Sequence, residues 1–429
     1  MARTKVLWFS PVPLPAVSEE LGLEQSYGGG WVYSLLRELA DRKGVELAVA
    51  WARQGCAVRR SFLKDGVRYY VTPNPGWLVR GSGFIRKVTN RLEPFLGHVR
   101  DRRAVAESAA VVRDFVPDLV HVFGAEHCYG LVVPVIQVPT VVWIQGILDV
   151  YGHHYFGSAG CVERLRHPGM LFGHQRMLAE AARERQIYSS CRYFMGRTTW
   201  DAAHQARLQP QGHYYSVQEC IRPEFHAAVP WRGDAARALT VYTTTSGALL
   251  KGTDVLVRAV ALLRRQYPRI ELRVAGSLER RNPVARRLFR LVKELRLSHH
   301  VKFLGQLDAA QIVLELTQAR AFVLPSFIEN SSNSLAEAQL VGTPVVASFV
   351  GGVPDMVKDD ETGLLFQAGD SSGLAWQIGR LFADDALAER LSFEERRIAR
   401  IRHAPGTIVD ALLRAYESIL ATRGDLLRA

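Results

Sequence analysis

Phe322-Val-Leu-Pro-Ser-Phe-Ile-Glu-Asn-Ser-Ser-Asn-Ser-Leu-Ala-Glu337, running on to Pro354, is the most informative stretch of this chain. Ala321 to Leu324 is a short apolar run, the pattern of a buried parallel strand. A polar loop follows, with Glu329 and then Ser331, Ser332, Asn333 and Ser334. One of these can cap a helix that runs through Leu340 and that Gly342 ends. Pro344-Val-Val-Ala347 is the next strand, and Gly351-Gly-Val-Pro354 a tight turn. Strand, loop, helix and strand in succession form the repeating unit of a parallel α/β sheet. Free N–H groups at the start of the helix can hold phosphate. Glu329 before the helix and Glu337 inside it can accept hydrogen bonds from vicinal hydroxyls, as in ribose or a hexose. The loop therefore suits a nucleotide sugar, although spacing alone leaves two solvated glutamates as an equal reading.

The same alternation extends to both sides. Strands are expected at Leu239–Tyr242, Leu272–Gly276, Val301–Gly305 and Gly363–Phe366. Helices are expected at Thr253–Gln266, Ala285–Leu297, Ala309–Leu316, Ser372 to about Arg402, and Thr407–Thr422. Between the first strand and helix of this series, Gly247 to Gly252 forms a second loop carrying Lys251, placed to neutralise a departing phosphate or simply to face solvent. Upstream, Val6-Leu-Trp-Phe9 is a strand, followed by a loop ending Tyr27-Gly28-Gly29-Gly30. Val32, Leu35, Leu36, Leu39 and Ala40 then recur at helical spacing. Glycines before a helix let backbone N–H groups approach an anion, and an ordinary tight turn is the competing reading. The pattern is not GxGxxG, which disfavours a nicotinamide site. Further strands are expected at Glu46–Trp51, Asp118–Phe123, Pro139–Gln145, Tyr193–Gly196 and Val217–Ile221. A hairpin is expected over Ser61–Val71, and helices over Val99–Phe115, Cys161–Gln186 and Thr198–Gln209. Residues 223–237 read as a linker.

With 429 residues the chain is too long for one ordinary core, and two domains are expected. We place them at 1–225 and 226–404, each a doubly wound parallel sheet, with a final helix at 405–425 packing back on the first. Ligands in such sheets sit outside the strand C-termini, so the cleft between the domains is the default site. No stretch nears eighteen consecutive apolar residues, and the apolar run after Lys5 is too short for a signal-peptide core, so a cytosolic enzyme is expected. Five scattered cysteines without CxxC spacing argue against a disulfide framework or a zinc site.

The net charge of +12 calls for a partner. Arg80, Arg86, Lys87, Arg91, Arg100, Arg102 and Arg103 cluster against only Glu93 and Asp101, with Trp77, Phe84, Ile85 and Phe95 interleaved. Such a segment suits peripheral attachment to an anionic bilayer, here the inner face of the membrane. A solvated helix face is the competing reading. Nucleic acid is not expected, because no helix-turn-helix, zinc-finger or RNA-binding signature is present.

In combination these features resemble the retaining glycosyltransferases of family 4, with their GT-B architecture of two Rossmann-like domains. The residues that carry the resemblance are Gly28–Gly30, Lys251-Gly252, Gly276, Phe303-Leu-Gly305, Pro325-Ser326, Glu329 and Glu337 with seven residues between them, Gly342-Thr-Pro-Val-Val-Ala347, Gly351-Gly-Val-Pro354 and Thr362-Gly-Leu-Leu365. The match is dense and ordered in the C-terminal half and looser in the N-terminal half.

The resemblance implies transfer of a sugar from a nucleoside-diphosphate sugar to a hydroxyl acceptor such as a lipid-linked glycan, for instance in bacterial surface polysaccharide or glycolipid synthesis. It implies that Lys251 binds the diphosphate, Glu329 contacts the sugar or positions the reacting centre, and Glu337 binds the ribose hydroxyls. Gly247, Ser332, Asn333 and Ser334 would line the donor site, Gly28–Gly30 would leave room for phosphates, and Gly305 with Gln306 would face the base. No cofactor is implied, and neither is a metal, since the chain has no DxD motif. Two positions depart from the family's pattern. Ser246 stands where an arginine often precedes the lysine by five residues. Gln145 stands where many members have histidine; it cannot act as a base but can bind sugar or acceptor. His121, His153 and His154 are expected to be structural or solvent-facing. Another GT-B enzyme, such as an epimerase or phosphorylase, and a non-catalytic basic binding protein are the competing readings.

Overall fold

The computed structural model describes residues 3–23, 30–40, 42, 44–54, 56–74, 100–166, 168–233, 239–279 and 282–426. The chain divides into two compact units. The first comprises Met1–Gly152, Leu171–Cys220 and Pro405–Ala429; the second comprises His153–Met170 and Ile221–Ala404.

The first unit is built on an eight-stranded sheet. Its strands are β1 (Thr4–Phe9), β2 (Val45–Gln54), β3 (Arg60–Lys64), β4 (Val67–Asn74), β5 (Leu119–Phe123), β6 (Thr140–Trp143), β7 (Tyr193–Gly196) and β8 (His213–Ser216). Their order is β3-β4-β2-β1-β5-β6-β7-β8. All neighbours are parallel except β3 and β4. That hairpin turns on Asp65 and Gly66, with φ of 49° and 75°. Two positive φ values in succession define the turn that matches strand twist, and Asp-Gly is suited to it.

Both faces of this sheet are covered. Along β1, Val6 and Trp8 enter one core cluster while Leu7 and Phe9 enter the other. A strand buried on both faces must be apolar throughout, which explains the unbroken run in the sequence. Full burial of each such side chain contributes about 1.5–3 kcal/mol. The final helix, Pro405–Leu426, adds Ile408, Val409, Leu412, Tyr416 and Ile419 to the Val6–Trp8 face. The Tyr416 hydroxyl accepts a hydrogen bond from Trp8 Nε1 at 3.1 Å and lies 2.6 Å from His121 Nδ1. His121 is fully buried, and burial pushes its pKa down to about 3. It is a core residue, as expected, while His153 and His154 are exposed.

The second unit contains a six-stranded parallel sheet of β9 (Thr240–Thr244), β10 (Glu271–Ala275), β11 (Val301–Gly305), β12 (Ala321–Leu324), β13 (Val345–Ser348) and β14 (Leu364–Phe366). The order is β11-β10-β9-β12-β13-β14. Its faces alternate in the same way: Ala321 and Val323 point into one cluster, Phe322 and Leu324 into the other.

Three sequence expectations require correction. The strand placed at Val217–Ile221 is β8, at His213–Ser216. Among the described residues β8 is an edge strand paired only with β7, and its half-exposed side chains leave no apolar run to read. Val217, Cys220 and Ile221 are buried in irregular chain instead. The linker at 223–237 begins as a helical turn, Pro223–His226, and residues 234–238 lie outside the described residues. The domain boundary near 225 falls at Cys220/Ile221, and His153–Met170 belongs to the second unit rather than the first. Arg287 is among the residues that tie this segment to the second unit. It pairs with Glu163 at 2.6 Å and Asp254 at 3.0 Å and donates to Ser158 at 3.0 Å. Phe156, Ala159 and Met170 pack with Leu249 and Val284 beside it.

Candidate active site

The loops at the C-terminal ends of β9, β12 and β13 converge in the second unit. After β9, the chain passes Gly247 (φ 70°) and a single turn, Leu249–Lys251, then enters helix Thr253–Leu263 through Gly252 (φ 62°). A Cβ on Gly252 would overlap the Pro325 carbonyl. Only glycine allows that approach, and the Phe327 amide donates to the Leu250 carbonyl at 2.7 Å. The Lys251 loop is therefore fastened to the loop after β12.

That loop runs from Pro325 to Ser332 and leads into helix Asn333–Val341, which Gly342 ends in the left-handed conformation. Glu329, Asn330, Ser331 and Ser332 are all buried. Lys251 Nζ lies 2.5 Å from Glu329 Oε1, and Ser326 Oγ donates to the same oxygen at 2.8 Å. From the β13 side, the Gly352 amide donates to the Glu329 carbonyl at 3.1 Å. A Cβ on Gly351 (φ 50°) would overlap that carbonyl. Two glycines thus seat Lys251 and Glu329 against each other. Sequence separation alone gave no reason to expect direct contact.

The N-cap of helix Asn333–Val341 is Ser332, and its side chain makes no capping hydrogen bond. Its hydroxyl lies 3.1 Å from Ser334 Oγ instead. The first amides of this helix are left to another acceptor, the arrangement that favours an anion. The Asn333 Oδ1 atom is buried without a partner among the described residues.

Glu337 lies on the same helix, in a run buried from Leu335 to Val341. Burial raises its pKa, and the Arg222 guanidinium, 2.7 Å from Oε1, pulls it back down. Sequence reasoning missed Arg222. It falls between the strand expected at Val217–Ile221 and the linker expected at 223–237, and a lone arginine before Pro223 carries no periodic signal.

Other candidates are placed less tightly. Gly305 (φ 74°) closes β11 with open space where a Cβ would be, and Gln306 after it is exposed. Ser246 is exposed in the β9 loop. In the first unit Gln145 follows β6. Its Nε2 donates to the Trp143 carbonyl at 3.4 Å, and its own carbonyl accepts from Arg197 at 3.2 Å. Glu126, after β5, lies beside it; a Cβ on Gly124 would meet both side chains. Burial pushes the Glu126 carboxyl up to about 7. Gly30 is the first residue of helix Gly30–Ala40, while Gly28 and Gly29 lie outside the described residues. Of the basic segment Arg80–Arg103, only residues 100–103 are described. Asp101 there pairs with Arg183 at 2.9 Å, and Arg102 and Arg103 are exposed. No helix among the described residues is long and apolar enough to cross a membrane.

Two parallel-sheet units of this kind define the GT-B class of fold. Sucrose-phosphate synthase from Thermosynechococcus elongatus superposes with a TM-score of 0.75 at 20% identity, over 98% of this chain and 100% of that one. Anabaena Alr3699/HepE, solved in complex with UDP-glucose, superposes with a TM-score of 0.66 at 16% identity, over 97% and 100%. The sequence narrows the class: residues 240–397 match the family described as Glycosyl transferases group 1. A D-inositol 3-phosphate glycosyltransferase of Corynebacterium jeikeium (strain K411) is 34% identical over 181 residues, 40% of this chain and 41% of that protein. The chain thus matches about two fifths of the length of such curated relatives. The resemblance to family 4 glycosyltransferases holds over the segment that contains Lys251, Glu329 and Glu337.

Proposed function

We propose that the protein is a retaining glycosyltransferase that moves a sugar from a nucleoside-diphosphate sugar to a hydroxyl acceptor. The observation that carries this reading is the Lys251–Glu329 pair beside an uncapped helix N-terminus, at the strand C-termini of the second sheet. The family match over residues 240–397 supports it, as does the UDP-glucose held by the Anabaena neighbour.

In this reading the diphosphate lies between Lys251 and the first amides of helix Asn333–Val341, and Glu337 takes the ribose hydroxyls. Gly305 and Gln306 leave space for the base. The bond between the sugar and the phosphate oxygen breaks as Lys251 and the helix amides stabilise the growing negative charge. Such preorganised stabilisation is often the largest catalytic contribution. The acceptor hydroxyl attacks from the same face, and its proton passes to the departing phosphate. Glu329, held by Ser326, faces the transferred sugar. We assign acceptor binding to the first unit, with Gln145 among its polar groups, and a lipid-linked glycan as the acceptor class for surface polysaccharide or glycolipid synthesis. No metal enters this scheme, so turnover should persist in a chelator.

The test is a screen of nucleotide sugars for thermal stabilisation and slow hydrolysis. Ligand at about a hundred times its Kd stabilises by about 2.7 kcal/mol, readily seen in a melt. A cognate donor should emerge, and its transferred sugar should keep its anomeric configuration by NMR. A screen without any stabilising or hydrolysed donor would refute the proposal.

A further inference from the structure

We infer that Arg222 is a positioning residue for nucleotide recognition: it clamps one oxygen of the Glu337 carboxylate so that the other is presented, ionised, to the vicinal hydroxyls of a ribose. The inference rests on the nucleotide-sugar reading above and adds a residue to it.

Arg222 Nη2 lies 2.7 Å from Glu337 Oε1, with the two side chains 20% and 10% exposed. Among the described residues the guanidinium is the carboxylate's one hydrogen-bond partner. An ionised carboxylate offers about four acceptor positions on two oxygens. With Oε1 taken by arginine, Oε2 remains for a ligand. The clamp is itself held: the guanidinium stacks over the Phe225 ring at 4.9 Å, and Pro223 fixes the backbone beside it. Helix Asn333–Val341 is buried on every side from Leu335 onward, so an acidic residue there serves no solubility purpose. An unpaired carboxylate so placed would take up a proton. It would then donate a hydrogen bond rather than accept two, and charge-assisted bonds are roughly twice as strong as neutral ones.

The groups that face Glu337 act in known directions. Burial raises its pKa, Arg222 lowers it, and Glu224 on the Pro223–His226 turn raises it. Tyr242 on β9 also senses the Glu337 charge. Arg222 is therefore the one cation opposing burial at this site among the described residues. Because the ionised form binds the diol, nucleotide affinity should fall as pH drops through the Glu337 transition. Loss of Arg222 should move that fall to higher pH.

The experiment is calorimetric titration of the full chain with UDP, GDP and ADP from about pH 5.5 to about pH 9, using the tightest binder. Wild type is compared with R222Q, R222K, E337Q and the R222Q/E337Q pair. R222Q should move the midpoint upward by about 1–3 pH units and lose on the order of tenfold in affinity on the acid side. R222K should restore most of the profile. E337Q and the double variant should both bind weakly and equally, and should share one pH profile, that of the nucleotide's own terminal phosphate, which titrates at about pH 6. A melt of each variant at each pH confirms that folded protein is compared, and R222K carries the test if R222Q does not fold. A pH profile of R222Q parallel to wild type overturns the inference. So does a double variant weaker than E337Q alone, which would place Arg222 on the nucleotide itself. Absence of nucleotide binding by wild type overturns both this inference and the reading on which it rests.

Discussion

Replacing Lys251 with alanine separates the contact with Glu329 that the structure shows from the phosphate contact that we propose. The ammonium uses one of its three donors on Glu329 Oε1, at 2.5 Å, and two remain for phosphate oxygens. Removing a preorganised donor from a site of developing negative charge costs about 2.7–4 kcal/mol in the transition state, or about 10²–10³ in rate. A separate cost falls on the folded state. Breaking a fully buried ion pair costs about 3–5 kcal/mol. Here Lys251 is 27% exposed and Ser326 still donates to Glu329 at 2.8 Å, so solvent and a surviving hydrogen bond absorb much of the penalty. About 1–2 kcal/mol remains, a drop in Tm of about 2–8 °C for a unit of this size. The assay is donor turnover well below the variant's Tm, so that both proteins are fully folded. K251A should lose on the order of 10²–10³ in kcat, and K251R, which keeps the charge, should lose less. Full turnover in K251A, or a loss no larger than its unfolded fraction, would refute the assignment.

Other consequences follow from particular contacts. Gly351→Ala should lower Tm by several degrees and turnover by at least tenfold. Its Cβ would meet the Glu329 carbonyl at a φ of 50°, a conformation that costs a non-glycine residue about 1–2 kcal/mol before any clash; an unchanged melt would contradict that geometry. Arg287→Met removes the guanidinium shared by Glu163, Asp254 and Ser158. Limited proteolysis should then cut within 153–170 faster than in wild type, and equal cleavage rates would mean that apolar packing alone holds the segment. His121 is buried neutral with its pKa near 3, below the unfolded value of about 6.5. The unfolded state therefore binds the extra proton, and stability present above pH 6.5 is lost as pH falls toward 3, by up to about 1.4 kcal/mol per pH unit. Thermal melts of H121F should show a flatter decline than wild type between about pH 6.5 and about pH 4; parallel slopes would sink this account.

The legible parts of the sequence are those where one physical demand shapes several neighbouring residues. Strands covered on both faces are largely apolar, so β1, β5, β12 and β13 could be read directly, and Asp65-Gly66 announced its hairpin. Gly252 and Gly351 read as loop glycines, but the reason for each is a carbonyl from a distant segment, Pro325 and Glu329, which no local pattern contains. β8 escaped because an edge strand is excused from being apolar. Segment 153–170 escaped because its contacts are with residues far along the chain, Arg287 and Leu249 among them, and Arg222 escaped because a single arginine has no period.

The two glutamates that made the stretch informative turn out to be paired differently, and the difference bears on their roles. Glu329 sits at a loop end, with a lysine from one neighbouring loop and a serine from its own turn. Lysine is a point charge on a flexible stem and can be shared with an arriving phosphate without losing its partner. Glu337 sits mid-helix against an arginine whose planar fork is stacked on Phe225. That geometry is fixed, and suits a carboxylate that must keep one orientation. Each acidic group has its own cation in the absence of ligand, so the pairs themselves bring no excess positive charge to the diphosphate. The attraction left to the second unit at this loop comes from the uncapped amides at Ser332, and a helix terminus acts only within its first turn. If the loop holds the donor as we propose, capture there is a short-range event decided by fit against the helix, and the affinity of isolated diphosphate should depend only weakly on salt compared with a site built on unpaired lysines and arginines.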